Sequence, residues 1–190
     1  VNIGCHCWTD ENLRVTEFKN GDPIALGTDS AGWMIPFNEP RRAAKFFDAG
    51  NVNTYGWLYN RAAVTDPRGI CPNNWGVPSD LEWMDLIDAA GGMNLAGNAI
   101  RGTPALWSTP DPVTGAEHLN TVGFNGLPGL ALPTWTGPQS EVSGFDGNWW
   151  SSGGGYLWTF YDLKGVDLST TTDAQSAYST RCVFSPPILE

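Results

Sequence analysis

The segment from Gly69 to Trp83 carries the strongest local signals in the chain. It reads Gly69-Ile-Cys-Pro-Asn-Asn-Trp-Gly-Val-Pro-Ser-Asp-Leu-Glu-Trp83. Its last residues predict a helix, because Ser79 is a favoured N-cap residue and Glu82 follows three positions later, as in a capping box. We expect this helix to cover residues 81–90 and to end at Gly91. Its buried side is expected to consist of Leu81, Trp83, Met84, Leu86 and Ile87.

Outside this helix the sequence predicts an irregular, loop-rich chain. There are 23 Gly and 14 Pro among 190 residues, and only 16% of the residues are charged. Residues 39–49 have a helix-compatible composition, which places Arg41, Arg42 and Lys45 towards solvent and Ala44, Phe46 and Phe47 towards the core. Short strands are expected around the turn at 19–23 and at 126–130, 148–151, 156–163 and 179–184, with a polar loop over 167–176.

The composition limits the classes of function. Ten basic against twenty acidic residues give a formal net charge of −10, which disfavours binding to a nucleic-acid backbone or to anionic lipid. No segment approaches the roughly 20 apolar residues of a spanning helix, so we expect no membrane insertion. The length is that of one domain. Because Val1 is not an initiator Met, we expect residues 1–190 to be a single domain excised from a longer surface or fibre protein.

The four cysteines stand at positions 5, 7, 71 and 182. Cys5-His6-Cys7 looks like half of a metal site, but no second pair follows at a matching distance, so a structural role is favoured. A bridge between Cys71 and Cys182 would close a loop of about 110 residues and would imply an oxidising compartment. Cys5 and Cys7 are too close for an easy bridge to each other, so one of them could pair with a distant cysteine. The sequence leaves the connectivity open.

Several short aromatic and glycine-rich blocks occur in a fixed order along the chain. They are Trp8-Thr-Asp-Glu-Asn-Leu13, Tyr55-Gly-Trp-Leu-Tyr-Asn60, the Gly69–Trp83 segment, Gly123-Phe-Asn-Gly-Leu-Pro-Gly129, Trp149-Trp-Ser-Ser152 and Arg181-Cys-Val183. In this order they resemble the W-x-x-E-N-L, Y-G-x-L-Y-N-W, G-x-C-P-x-G-W-H-V-P-[ST]-D-x-E-W, G-F-x-A-L-P-G, W-S-S and V-R-C-V motifs of the Fibrobacter succinogenes major paralogous domain family. The resemblance covers about residues 3–183. This chain departs from those motifs at Arg61 (usually Trp), Asn74 (Gly), Gly76 (His) and Thr180 (Val).

The resemblance implies an α+β, C-type-lectin-like fold, with a small twisted antiparallel sheet, one or two helices and long irregular loops. The family is frequent in surface proteins of Bacteroidetes-type bacteria. Its relatives include adhesin tips, variable proteins diversified by retroelements and formylglycine-generating enzyme. In the variable proteins the C-terminal sheet displays the ligand-facing residues. Most Trp residues are then expected to hold the fold together, namely Trp8, Trp57, Trp75, Trp83, Trp149 and Trp150.

By the same resemblance we expect a non-catalytic ligand-binding module, an adhesin or receptor-binding domain outside the cell, on a cell surface or on a phage tail fibre. The expected partner is a glycan or a protein on a cell surface. Aromatic rings give contact area at low entropic cost, and the candidate ligand-binding residues are Tyr156, Trp158, Phe160, Asp162 and Tyr178. These positions alternate with Leu157, Thr159, Tyr161 and Leu163, so one set faces a core, and the sequence leaves open which.

Two alternative functions are a structural domain of a surface filament and an enzyme of the formylglycine-generating type. The enzyme needs a reactive cysteine pair in the C-terminal part, where this chain has Cys182 alone, and His6 and His118 lack recognisable catalytic partners. We therefore expect no catalytic residues and no cofactor. Loop oxygens at 38–40 and 146–148 could hold a structural calcium ion, although turn formation explains both segments better.

Overall fold

The computed structural model of the protein describes residues 1–34, 38–107, 119–129, 146–160, 165–170 and 176–184, without the side chains of Met34 and of residues 157–160. Within these ranges the fold is mixed α+β, with few helices and small sheets. The helices are α1 (Ser30–Met34), α2 (Val52–Tyr55), α3 (Arg61–Val64), α4 (Asp80–Ala89) and α5 (Ala96–Ile100), with 3₁₀ turns at Lys45–Phe47, Ala49–Asn51 and Pro104–Leu106. The strands are β1 (Asn2–Ile3), β2 (His6–Cys7), β3 (Ala25–Leu26), β4 (Arg41–Ala43), β5 (Leu58–Asn60), β6 (Trp75–Gly76), β7 (Asp146–Trp150), β8 (Gly155–Phe160), β9 (Asp167–Thr170), β10 (Ala177–Tyr178) and β11 (Val183–Phe184).

The strands of the described residues form four sheets. β1 and β2 make a hairpin, and β6 pairs with β11. A four-stranded sheet has the order β10-β5-β4-β3, in which only β3 and β4 are parallel. A three-stranded antiparallel sheet has the order β7-β8-β9. The last part of the chain therefore packs against the first half, because β10 pairs with β5 and β11 pairs with β6.

The predicted helix is present as α4, and its capping box is confirmed. The backbone N–H of Glu82 donates to the Ser79 hydroxyl, and Glu82 Oε2 accepts from the Ser79 backbone N–H at 2.7 Å. The predicted buried side was partly wrong, since Leu81 is 78% exposed and Met84 38% exposed. The buried positions are Trp83, Leu86, Ile87 and Ala90, which follow the i, i+3, i+4, i+7 spacing of one helix face.

Residues 39–49 do not form the predicted helix. Residues 41–43 are strand β4, held between β3 and β5, so pairing with distant strands outweighs the local helical composition. Phe46 and Phe47 follow with φ of 57°, and Phe46 is 45% exposed instead of buried. Lys45, predicted to face solvent, is 1% exposed. The predicted loop at 167–176 was also wrong at its start, because residues 167–170 form β9.

Two hydrophobic clusters pack on opposite sides of β7. Trp149 and Trp150 are both fully buried, and because successive strand residues face opposite ways they enter different clusters. The first cluster consists of Ile3, Trp8, Trp83, Leu86, Ile87, Ala90, Ala96, Ala99, Ile100, Phe124, Trp149 and Val183. The second consists of Leu13, Phe18, Ile24, Tyr59, Ala63, Val64, Ile70, Cys71, Trp150, Tyr178 and Cys182. A smaller third cluster contains Trp33, Ala43, Leu58 and Ala177.

The tryptophans of the family-like blocks are architectural. Trp8, Trp83, Trp149 and Trp150 are at most 1% exposed, whereas Trp57 and Trp75 are half-buried against the second cluster. Trp8 and Trp83 lie with ring centroids 4.8 Å apart, and Phe124 meets Trp149 edge to face at 5.4 Å. Rings of this size fill the core of a chain that has little regular structure.

A buried polar network joins five of the sequence blocks. Asn12 Oδ1 accepts hydrogen bonds from Trp149 Nε1 at 3.0 Å and from Arg181 Nε at 2.8 Å. Asn12 Nδ2 donates to the carbonyl of Tyr55. The Arg181 guanidinium also donates to the carbonyls of Thr9 and Asn125 and lies 4.4 Å from the ring centre of Phe124. Burial lowers the pKa of Arg181, and these hydrogen bonds compensate for the loss of water around its charge.

Cys71 and Cys182 form a disulfide, with Cα atoms 5.9 Å apart and a sequence separation of 111. Of the pairings that the sequence left open, the candidate bridge between Cys71 and Cys182 is the one formed. Cys5 and Cys7 are both free, so the alternative in which one of them pairs with a distant cysteine is not the one formed. The physical reason is that Cys71 and Cys182 are brought together inside the second cluster, which does not include Cys5 or Cys7.

Candidate functional site

The β7–β8 hairpin positions the predicted binding surface. Trp150 pairs with Tyr156 and Trp149 with Leu157 in the register of these two strands. The connecting turn, residues 151–154, is docked on the start of α4. The N–H of Ser152 donates to the carbonyl of Pro78 at 2.7 Å, and the Ser151 hydroxyl hydrogen-bonds to Asp80 Oδ1. The turn is therefore held by the rigid helix instead of projecting freely.

Glycine at 154 is required by the same turn. Gly154 has a φ of 81°, in the left-handed region, and a Cβ there would lie 2.9 Å from Cζ of Arg61. The Arg61 guanidinium thus lies directly against the backbone of the turn. Arg61 is half-buried and begins α3. Arg61 stands where the Y-G-x-L-Y-N-W motif has its final Trp. This departure from the motif was visible in the sequence, but it did not lead to a predicted role for Arg61 in the site.

An aromatic stack runs from the second cluster to the surface beside this turn. The ring centroids of Trp150 and Tyr178 lie 4.7 Å apart, and those of Tyr178 and Tyr156 lie 4.5 Å apart. Trp150 is fully buried and Tyr178 is 7% exposed, whereas Tyr156 is half-buried. We call Trp150, Tyr178 and Tyr156 the aromatic stack. Its outer ring, Tyr156, is fixed by the two rings beneath it.

The structure brings together two of the five predicted contact residues, Tyr156 and Tyr178. Tyr178 lies mainly inside the stack and supports Tyr156. Trp158 and Phe160 belong to β8, where Trp158 pairs with Asn148 and Asp167 and Phe160 pairs with Asp146. Asp162 lies outside the described residues. The ring of Tyr156 packs on the second cluster. At this position, therefore, the predicted contact residue lies on the strand face that is turned towards the core.

The base of the stack is continuous with the four-stranded sheet. Tyr178 of β10 pairs with Tyr59 of β5, and Tyr59 pairs with Arg42 of β4. The Tyr59 hydroxyl donates to the carbonyl of Val15 at 2.8 Å, and burial raises the pKa of Tyr59. The Arg42 guanidinium lies 4.6 Å from the ring centre of Trp57. The outer ring of the stack therefore rests on a frame of strands rather than on a loop.

A groove lies along residues 14–19 and 70–73 and has a volume of about 530 Å³. Its charged residues are of both signs, and two of them are already engaged: Arg14 pairs with Glu11 at 3.0 Å, and Lys19 Nζ donates to the carbonyl of Trp75. This groove therefore shows no convergent set of polar groups of the kind that fixes a small ligand.

The described residues bring together no group of three or more His, Cys, Asp or Glu side chains that could hold a metal. At the first calcium candidate, the Glu39 carboxylate lies 3.7 Å from Arg41. At the second, Asn148 is 5% exposed. Among the described residues, Lys45 has a buried amine, and burial lowers the pKa of this amine to about 8. It is 1% exposed and therefore out of reach of a substrate.

These features define a class: a disulfide-bonded α+β domain with short helices and small sheets, in which an aromatic stack from β7, β8 and β10 reaches the surface. The model of the Fibrobacter succinogenes major domain family matches residues 1–183, and the chain belongs to this family. Comparisons with curated proteins and with solved structures found no match. Among the described residues, no helix has the length and apolar character needed to span a membrane.

Proposed function

We propose that this chain is a non-catalytic ligand-binding module, an adhesin or receptor-binding domain with a C-type-lectin-like scaffold, carried by a bacterial surface protein or a phage fibre. The observation that carries the proposal is the position of Tyr156. Its half-buried ring ends the aromatic stack and stands next to a turn of three consecutive glycines, Gly153 to Gly155. The proposed ligand is a glycan or a protein patch outside the cell.

The stack gives Tyr156 the properties of a preorganised contact residue. Its ring is held at 4.5 Å from Tyr178, so binding would immobilise little additional side-chain freedom. A Cβ at Gly153 would meet no atom within 4 Å, so the turn is open to solvent three residues before Tyr156. A tyrosine offers both an apolar face and a hydroxyl, which suits the mixed polar and apolar surface of a sugar or a protein patch.

Arg61 extends this surface with a polar group. Its guanidinium is fixed against Gly154, two residues before Tyr156. A planar guanidinium presents several N–H donors in a fixed arrangement. The proposed contact surface therefore combines one aromatic face, one guanidinium and the exposed backbone of Gly153.

The proposal is tested with arrays of glycans and of surface proteins, probed with the intact chain and with Tyr156→Ala. We expect Tyr156→Ala to weaken binding of any ligand found by roughly tenfold or more, the range of a buried aromatic contact. Phe46→Ala is the matched control, because Phe46 is also a partly exposed aromatic residue, at 45%, and lies outside the stack. Unchanged binding by Tyr156→Ala, and by the double variant with Trp158→Ala, would sink the assignment.

A further inference from the structure

The β1–β2 hairpin carries two thiols for which the chain offers no distant partner. All four cysteines lie within the described residues, and two of them are consumed by the Cys71–Cys182 bond. Cys5 is exposed and Cys7 is half-buried. A chain that forms a disulfide belongs where thiols are oxidised, and in that environment two free thiols react either with each other or with an external group.

The hairpin is fixed on α4, so the thiols are presented on a rigid base. Asn2 pairs with Cys7 and Ile3 with His6, and Gly4, with a φ of 60°, opens the turn. A Cβ at Gly4 would lie 3.2 Å from the carbonyl oxygen of Asp85, so the turn touches the helix backbone. His6 Nε2 lies 2.9 Å from Asp85 Oδ2 and fastens the second strand to the same helical turn.

Both thiols line a recess of about 430 Å³, formed by Asn2, Gly4, Cys5, His6, Cys7 and Phe184. The Phe184 ring is 37% exposed and is held edge to face against Trp75 at 5.5 Å. The recess thus offers a thiol at its mouth, an apolar ring and the polar side chains of Asn2 and His6. Its volume suits a group the size of a few amino-acid residues.

A bridge between Cys5 and Cys7 conflicts with the strand register. Positions two apart in an extended chain have Cα atoms roughly 6.6–7 Å apart, at or beyond the upper end of the usual disulfide range. Closing that bridge would draw Cys7 out of its pairing with Asn2. The geometry favours a partner from outside the chain.

We propose that the β1–β2 hairpin is a covalent attachment site, at which Cys5 forms a mixed disulfide with an external cysteinyl thiol that occupies the recess. The oxidant is an external disulfide, R–S–S–R. The Cys5 thiolate attacks one of its sulfurs, the S–S bond breaks, the Cys5–S–S–R bond forms, and the second sulfur leaves as a thiolate that takes up the proton lost by Cys5. The external thiol is that of a small cysteinyl compound or of a second polypeptide chain.

The test uses the whole chain with the Cys71–Cys182 bond intact and glutathione disulfide as the probe, followed by mass spectrometry. We expect one glutathionyl group per chain, located at Cys5. Cys5→Ser should slow its incorporation roughly tenfold or more, whereas Cys7→Ser should leave it largely unchanged, because exposure controls thiol exchange. A reference thiol is supplied by Leu81→Cys in a Cys5→Ser/Cys7→Ser background, at a position 78% exposed on α4.

Retention of the adduct separates an attachment site from an ordinary surface thiol. Reduced glutathione is then added at increasing concentration. We expect removal of the Cys5 adduct to need a several-fold higher glutathione concentration than removal of the adduct at the reference thiol, because only the Cys5 adduct is contacted by the recess. In a second experiment, non-reducing electrophoresis after air oxidation shows whether the external thiol comes from a second chain or from a small compound. A dimer abolished by Cys5→Ser indicates a second chain, and its absence alongside a retained adduct indicates a small thiol compound. Equal retention at both thiols, or conversion to a Cys5–Cys7 bridge without an adduct, would overturn the proposal.

Discussion

Lys45 lies beneath the loop 123–129, where its Nζ donates to the carbonyl of Pro128 at 3.0 Å and stands 3.8 Å from the ring centre of Tyr55. Burial lowers the pKa of Lys45 from 10.5 to about 8. In the folded state the proton is therefore held less tightly than in the unfolded state. The cost of burying the charge is fully present below about pH 8 and disappears as the pH rises towards the unfolded pKa.

Replacing this lysine should change how stability depends on pH. Between pH 7 and pH 10.5, the free energy of unfolding of the wild type should rise relative to Lys45→Met by on the order of 3 kcal/mol, the equivalent of the pKa shift. Urea unfolding at several pH values in this range measures the difference. Leu81→Met is the control, since Leu81 is 78% exposed and carries no titratable group, and its difference from the wild type should stay flat. Parallel curves for wild type and Lys45→Met would contradict the prediction.

Asn12 is the residue on which the buried polar network depends. Asn12→Ala leaves Trp149 Nε1 and Arg181 Nε without their acceptor, and Arg181 remains fully buried with its charge. We expect a loss of about 3–5 kcal/mol in the free energy of unfolding, because a buried charged donor loses its partner. Chemical denaturation measures this, with Asn73→Ala as an exposed control that should stay within about 0.5 kcal/mol. A loss below about 1 kcal/mol would show that water replaces Asn12 in the network.

At the scale of single elements, the start of α4 links the helix to the candidate site. Ser79→Ala removes the hydroxyl that caps Glu82 N–H, and we expect the unfolding free energy to fall by about 1 kcal/mol. The start of α4 holds the 151–154 turn through Pro78 and Asp80. Because neither contact uses the Ser79 hydroxyl, the free energy of ligand binding at Tyr156 should fall by less than the free energy of unfolding does. Ser152→Ala, at an exposed serine, is the control for stability. An unchanged unfolding midpoint in Ser79→Ala would contradict the role of the cap.

Elements with local signals were predictable from sequence, and elements made by distant pairing were not. The capping box at Ser79 and Glu82 lies within four residues, so α4 was found almost to the residue. β4 and β9 are strands because β5 and β8 lie beside them, and nothing in residues 41–43 or 167–170 carries that information. The alternation of β8 could not be oriented from sequence because its neighbour β7 is buried on both faces. The contact between Arg61 and Gly154 joins positions that no local pattern relates.

Across the whole molecule, the sequence blocks are parts of one packed centre. Asn12, near the start of the chain, accepts hydrogen bonds from Arg181, near its end, and from Trp149 of β7. The two clusters on either side of β7 contain rings from most of the blocks. The same strand supports both the core and the hairpin that ends in Tyr156. The proposed binding surface is therefore an extension of the core, which explains how a loop-rich chain can hold one aromatic ring in a fixed position.

The Cys71–Cys182 disulfide links two segments that also pair as strands. Cys71 lies in the loop before β6, and Cys182 directly precedes β11, which pairs with β6. In the chain-entropy model, closing a loop of this length stabilises the fold by about 4 kcal/mol. We expect Cys71→Ala/Cys182→Ala to lower the unfolding temperature by roughly 8–16 °C, at about 2–4 °C per kcal/mol for a chain of this size. The comparison belongs in a Cys5→Ser/Cys7→Ser background, where no free thiol can exchange with the bond, and calorimetry measures it. A shift below about 3 °C would mean that hydrophobic packing around residues 71 and 182 already fixes the two segments without the covalent bond.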